Sequence, residues 1–182
     1  ENGIDPIINL TCRNRNRISL TSELLGCASL DMKNLLLTRG EKIPNEVKRK
    51  AAALSEMNAT ELISLANKIK TDEKLPTNND FLIGGVVTPF TAKLGWPAQN
   101  LTEKIDAGAQ FMITHTCLDM EIIKIYMERL IATKLLRRMH LIAGIAILKS
   151  AEDAKWLREH RPNVMIPRQA VLRLESSDNP EK

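Results

Sequence analysis

Apolar positions along the chain fall into short runs separated by stretches with helical spacing. The runs are Ile7–Cys12, Asn34–Thr38, Phe81–Val87, Phe111–Thr116, Leu141–Ile147 and Val164–Ile166. Most are continuously apolar rather than alternating, which is the pattern of strands buried on both faces in a parallel sheet under helices. Ser19–Leu30 places Leu20, Leu24, Cys27 and Ala28 on one helical face. Asn58-Ala59-Thr60-Glu61 reads as a capping box that opens a helix striped with Leu62, Leu65, Ala66 and Ile69. Asn100–Ala107 makes a shorter helix closed by Gly108. Leu118–Arg138 is the longest and ends in Lys134, Arg137 and Arg138, where the helix dipole favours cations. Ser150-Ala151-Glu152-Asp153 opens the last, which carries Ala154 and Leu157.

Strand and helix therefore alternate about five times, roughly one βα unit per 25–30 residues, with one final strand. That order predicts an α/β fold, either a doubly wound sheet or a (β/α)8 barrel, with residues 1–182 forming a single domain. Both architectures bind ligands beyond the carboxyl ends of the strands. The residues to watch are then Thr11-Cys12-Arg13, Thr38-Arg39-Gly40-Glu41, Val86–Pro89, His115-Thr116-Cys117 and Gly144–Lys149. The gap from Thr38 to Phe81 holds the basic stretch Lys42–Lys50 and the turn Thr77–Asp80. Solvated connection is its ordinary reading, and a loop over a site is the alternative.

Composition narrows the classes. Of 182 residues, 43% are hydrophobic and 26% charged, as in a globular protein, but only 3% are aromatic, so the core must be aliphatic. The net charge of +4 is diffuse. Its densest runs, Arg13–Arg17 and Lys48–Lys50, lack interleaved aromatics for stacking on bases, which argues against nucleic acid. No apolar run approaches the ~20 residues of a membrane span. Glu1–Pro6 has neither the basic start nor the apolar stretch of a signal peptide. Three cysteines, an odd number in apolar surroundings, fit a reducing, cytoplasmic compartment.

The strand ends offer several chemistries. There is no dinucleotide fingerprint and no P-loop. Gly84-Gly85 either admits a flat ligand close to the backbone or relieves crowding within the sheet. Arg39 presents a fixed fork of donors, and Glu41 could act as acid, base or electrostatic stabiliser; a surface ion pair is the bland alternative. Lys104 could reach an anion or simply be solvated. His115 and Cys117 stand two apart on one strand face, but no second pair has ligand spacing, so no metal is expected. No nucleophile elbow is present.

Taken in order, these blocks resemble the methylenetetrahydrofolate reductase family. The likeness runs through Asn9-Leu10-Thr11-Cys12-Arg13 with Asn16-Arg17, Lys33–Glu41, Ile83–Val87 with Pro89-Phe90, Lys104–Phe111 with Ile113-Thr114-His115, Ala143-Gly144-Ile145 and Ile166-Pro167. The resemblance implies a (β/α)8 TIM barrel, here incomplete, with about five βα units of parallel strands. It implies bound flavin, FAD or alternatively FMN, that passes hydride from NAD(P)H or another reductant. The substrate would be 5,10-methylenetetrahydrofolate or a related pterin, reduced to 5-methyltetrahydrofolate. Asn9, Thr11, Arg39, Gly40, Glu41 and Lys104 would contact the cofactor, Glu41 would be the catalytic carboxylate, and His115 would contact the pterin. Glu41 replaces the family's usual Asp, Asn9 a His, His115 a Gln and Val86 a Tyr found in some members. The likeness covers roughly the third to seventh strand units of the family's barrel. On that alignment the strand bearing the family's proton-donating Glu precedes Glu1, and the last strand follows Lys182. An oligomer, or a barrel completed by further polypeptide, follows as the expectation. The reading from another class is a non-catalytic or split barrel subunit of a larger redox or one-carbon complex.

Overall fold

The computed structural model describes residues 4–41, 56–75 and 80–178. Lys42–Lys50 and Thr77–Asn79 lie outside the described residues. In chain order the elements are β1 (Ile7–Thr11), α1 (Arg17–Ser29), β2 (Asn34–Thr38), α2 (Ala59–Lys70), β3 (Leu82–Val87), α3 (Gln99–Asp106), β4 (Phe111–Thr114), α4 (Met120–Ala132), a 3-10 turn at Leu135–Arg137, β5 (His140–Ile142), α5 (Ala151–His160) and α6 (Arg168–Asp178). The strands form one parallel sheet in sequential order, β1-β2-β3-β4-β5. Ile8 stands opposite Leu35, and Leu35 opposite Ile83, so equivalent side chains line up across the first three strands. This is the α/β fold that the alternation predicts.

The chain divides into two compact units. The first comprises Glu1–Val86, Gln99–Met112 and Arg138–His140. Its core lies on the helix-covered face of the sheet. Leu10, Cys12, Leu35, Leu37 and Ile83 are buried there, under Leu20 and Leu24 of α1 and Leu62, Ile63 and Ala66 of α2. α1 and α2 each begin with a satisfied cap. The Asn16 side chain accepts from the Ser19 amide, and Asn58 and Glu61 complete the capping box in both directions. α3 ends at Gly108, whose φ of +118° closes the helix as expected. The opposite face is not fully buried. Ile7 is 48% exposed and Leu82 41%, while β2 alternates between half-buried and buried residues. The runs that look doubly buried in sequence divide: β2 alternates, whereas Ile83, Gly84 and Gly85 of β3 are buried in succession, because hydrophobicity on a strand does not say which face is covered.

The second unit comprises Val87–Ala98, Ile113–Arg137 and Leu141–Lys182. Its core gathers Ala154, Ile166 and Val171, with Leu118, Leu148, Leu157 and Leu174 packed around them. Here the structure departs from the expected elements. The run Leu141–Ile147 is a strand only to Ile142, and Ile145 and Ile147 stand 76% and 91% exposed. The Gly144 amide donates to Thr114 Oγ1 at 2.8 Å instead of to a strand carbonyl, which ends the ladder. Val164–Ile166 shrinks to one parallel bridge, Cys117 with Met165, because Pro167 has no amide to extend it. The long helix begins at Asp119, whose carboxylate caps the Glu121 and Ile122 amides, and α4 stops at Ala132. Lys134 follows with φ of +61°, so Arg137 and Arg138 fall outside the helix. The chain's last described element is a helix, α6, not a strand; it buries Val171 and joins α5 through Lys155–Glu175 at 2.5 Å.

Candidate functional site

In the first unit, the loop after β1 ties down the loop after β2. Three successive carbonyls of Thr38, Arg39 and Gly40 are all engaged by Cys12 and Arg13. The Cys12 amide donates to the Thr38 oxygen at 3.1 Å, the Cys12 thiol to the Arg39 oxygen at 3.6 Å, and Arg13 Nε to the Gly40 oxygen at 3.3 Å. Burial pushes the Cys12 thiol above its usual range, so the sulfur keeps the proton that it donates. Gly40 has φ of +84°, and a Cβ there would lie 3.1 Å from the Cβ atoms of both Thr11 and Arg13. Glycine is thus required twice, by its dihedral and by close packing.

Beside this turn lies a cavity of ≈ 640 Å³ lined by Arg39, by Asn58–Glu61 at the start of α2, and by Asn100, Glu103, Lys104 and Asp106 of α3. Its carboxylates already have partners. Glu61 accepts from the Asn58 amide at 2.6 Å, Glu103 from Gln99 Nε2 at 3.0 Å, and Asp106 pairs with Arg138 at 2.6 Å. Its cations are less committed. Lys104 Nζ donates to the Val86 carbonyl at 2.8 Å, which leaves further N–H donors on the ammonium. Desolvation lowers the Lys104 pKa, the mark of a cation drawn partly out of water. The volume and the polar lining suit a hydrophilic ligand.

Of the residues singled out in sequence, Thr11 and Gly40 meet at the turn, and Arg39 and Lys104 share the cavity. Asn9 is exposed on β1, two residues before Thr11 and so on the same strand face. Glu41 is exposed and ends the first described stretch. His115 belongs to the second unit, half-buried just beyond β4, where its amide donates to the Val87 carbonyl at 2.8 Å. Sequence reading marks Arg13 only as a strand-end residue, and it does not mark Asn58, Glu61, Glu103 or Asp106 as site residues. Asn58 and Glu61 did carry a signal, the capping box, but it speaks of a helix start and not of a cavity wall. The Gly84 question is resolved by packing. A Cβ there would sit 2.2 Å from the Phe111 ring, so the glycine makes room for a side chain of its own unit. Cys117 is buried and donates to the Asp119 carbonyl at 3.6 Å. Among the described residues no three His, Cys, Asp or Glu side chains gather as a metal site.

Successive parallel strands, each leading into a helix, with cations at the strand ends and on the following helix, define an α/β protein of the (β/α)-barrel type. Within that class, the family model described as methylenetetrahydrofolate reductase matches residues 1–182, and the chain belongs to that family. No curated protein matches it. Among the described residues no helix is long and apolar enough to cross a membrane.

Proposed function

We propose that this chain carries the flavin-binding face of a methylenetetrahydrofolate reductase-type oxidoreductase, working in the cytoplasm. The family match over residues 1–182 carries the reading. The fit of the residues supports it: Arg39 and Lys104 supply positive charge to one cavity, where Asp106 is ion-paired with Arg138 and Glu61 and Glu103 accept hydrogen bonds from neutral amides. FAD or FMN, when bound, supplies a two-electron carrier between NAD(P)H or another reductant and the methylene carbon of the folate. Arg39 and Lys104 would hold the anionic parts of that cofactor, and Asn9 and Thr11 its polar edge. Gly40, held at a positive φ against Thr11 and Arg13, would contact the cofactor through its backbone. Glu41 would favour the cationic form of the pterin substrate by its negative charge. His115, able to donate and accept, would contact the pterin ring.

The test is direct. Purified protein supplied with FAD or FMN should turn yellow, and after dithionite reduction it should be reoxidised by methylenetetrahydrofolate. A colourless protein that binds neither flavin overturns the proposal. A second reading, a barrel part completed by further polypeptide in a larger complex, is favoured by the exposed apolar side chains of Ile142, Ile145 and Ile147. It requires co-purification with a partner chain and no turnover in its absence.

A further inference from the structure

The chain has three Phe, two Trp and one Tyr, and one of each kind meets in the second unit. The Phe90 ring stands edge-on to Trp96 at 5.2 Å, and Tyr126 of α4 lies 5.8 Å from Phe90 and 5.4 Å from Trp96 between centroids. Local structure brings the first two together. The Trp96 amide donates to the Lys93 carbonyl at 3.1 Å, closing a four-residue turn. Its third residue, Gly95, has φ of +77°, the sign that a type II turn demands there. No atom stands within 4 Å of the place a Gly95 Cβ would take, so the dihedral alone calls for glycine.

The rings are covered unequally. Tyr126 is 2% exposed and Trp96 half-buried, but Phe90 is 38% exposed and Leu94 beside it 85%. A cluster that served only to pin the loop to α4 would bury its Phe. These side chains open instead on a cavity of ≈ 590 Å³, within the range of small-molecule sites. Phe90, Leu94, Trp96 and Pro97 form its apolar wall, and Thr91 and Lys93 are its polar side chains. No carboxylate lines it, and Lys93 has no ion pair with a described residue.

We propose that this loop is a binding site for a small aromatic carboxylate, with the ring seated against Phe90 and Trp96 and the carboxylate held by Lys93. Edge-on or offset contact with two rings favours an aromatic guest over an aliphatic one. An ammonium at the mouth with no acid beside it selects a negative group. The site uses no residue assigned to flavin or pterin, so it stands or falls apart from the flavin reading.

Trp156→Phe leaves Trp96 as the only indole and makes the site directly readable. In that full-length protein 3-phenylpropionate should change Trp96 emission saturably. Hexanoate, which lacks the ring, should bind about fivefold more weakly, and 3-phenylpropanol, which lacks the charge, about threefold. Lys93→Gln should weaken 3-phenylpropionate about threefold at low salt, leave 3-phenylpropanol unchanged, and match the parent in about 1 M salt. Phe90→Leu, apolar but ringless, should weaken 3-phenylpropionate about fivefold, with the high tyrosinate step of Tyr126 retained as proof that the loop still packs. No saturable change up to about 10 mM 3-phenylpropionate overturns the proposal. So does equal affinity for hexanoate, which would make the cavity an unselective apolar pocket, and so does equal affinity in Lys93→Gln at low salt, a variant at an exposed position that leaves the fold untouched.

Discussion

At the scale of single residues, two glycines show opposite uses of a missing side chain. Gly40 lets the β2 turn bend to a positive φ against Thr11 and Arg13, whereas Gly84 leaves space that the Phe111 ring occupies. Both stand in strand-end or strand positions, and sequence alone could not assign their separate reasons, because the partner in each case comes from a different strand. Tyr126 makes a sharper case. It is the only tyrosine, nearly fully buried in the second unit against Phe90 and Trp96, and desolvation pushes its phenol up to about 12 from 10.0. The unfolded chain releases that proton first as pH rises. The stabilising contribution is thus complete below pH 10.0 and is lost as pH climbs to about 12. Ultraviolet titration should find a single tyrosinate step near the upper value in native protein. A step at the ordinary phenol value under native conditions would mean that Tyr126 is not buried in solution.

At the scale of elements, legibility tracks how local the determining contacts are. The caps at Asn58 and Ser150 are settled within one helical turn, and both helices start where those residues predict; α1 starts at Arg17, two residues before the expected Ser19, because the Asn16 side chain caps it. α6 was missed because its apolar positions, Ala170, Val171 and Leu174, are few and set among charges, so the helical period is faint. The strand at Leu141–Ile147 was overextended for the converse reason. Its apolar residues satisfy the strand pattern, yet a strand also needs a paired edge, and pairing is non-local. Asn58→Ala removes the reciprocal cap of α2 and should cost about 1 kcal/mol in urea unfolding. Because Asn58 and Glu61 also line the cavity, the same change should weaken flavin binding if the proposed site is right. An unchanged unfolding midpoint would show that the capping box contributes nothing in solution.

At the scale of the whole molecule, the two compact units raise the question of cooperativity. We propose that residues 1–182 nevertheless unfold as one domain, since all five strands belong to one sheet. The cysteines make this measurable. Cys12 and Cys27 lie in the first unit and Cys117 in the second; all three are buried and free, and burial raises each thiol above its usual range. Each is therefore slow to react until its surroundings open. Pulsed thiol labelling across a urea gradient should give one midpoint for all three sites. Distinct midpoints for Cys117 and the other pair would make the units separate folding domains.

The sequence by itself determined the alternation of strands and helices, the capped starts of α2 and α5 and the family, because each is written in local spacing or in motifs that stay contiguous. Arg39, Gly40, Lys104 and Thr11 could be picked out on those motifs. Tertiary structure alone decided what they touch. Lys104 finds the Val86 carbonyl 18 residues away, and Arg13 finds that of Gly40 27 residues away. It also decided which strand face is covered, why Gly84 is a glycine, and that the last apolar run forms a single bridge. Those outcomes depend on which segments the sheet brings side by side, and no window of the chain contains both partners.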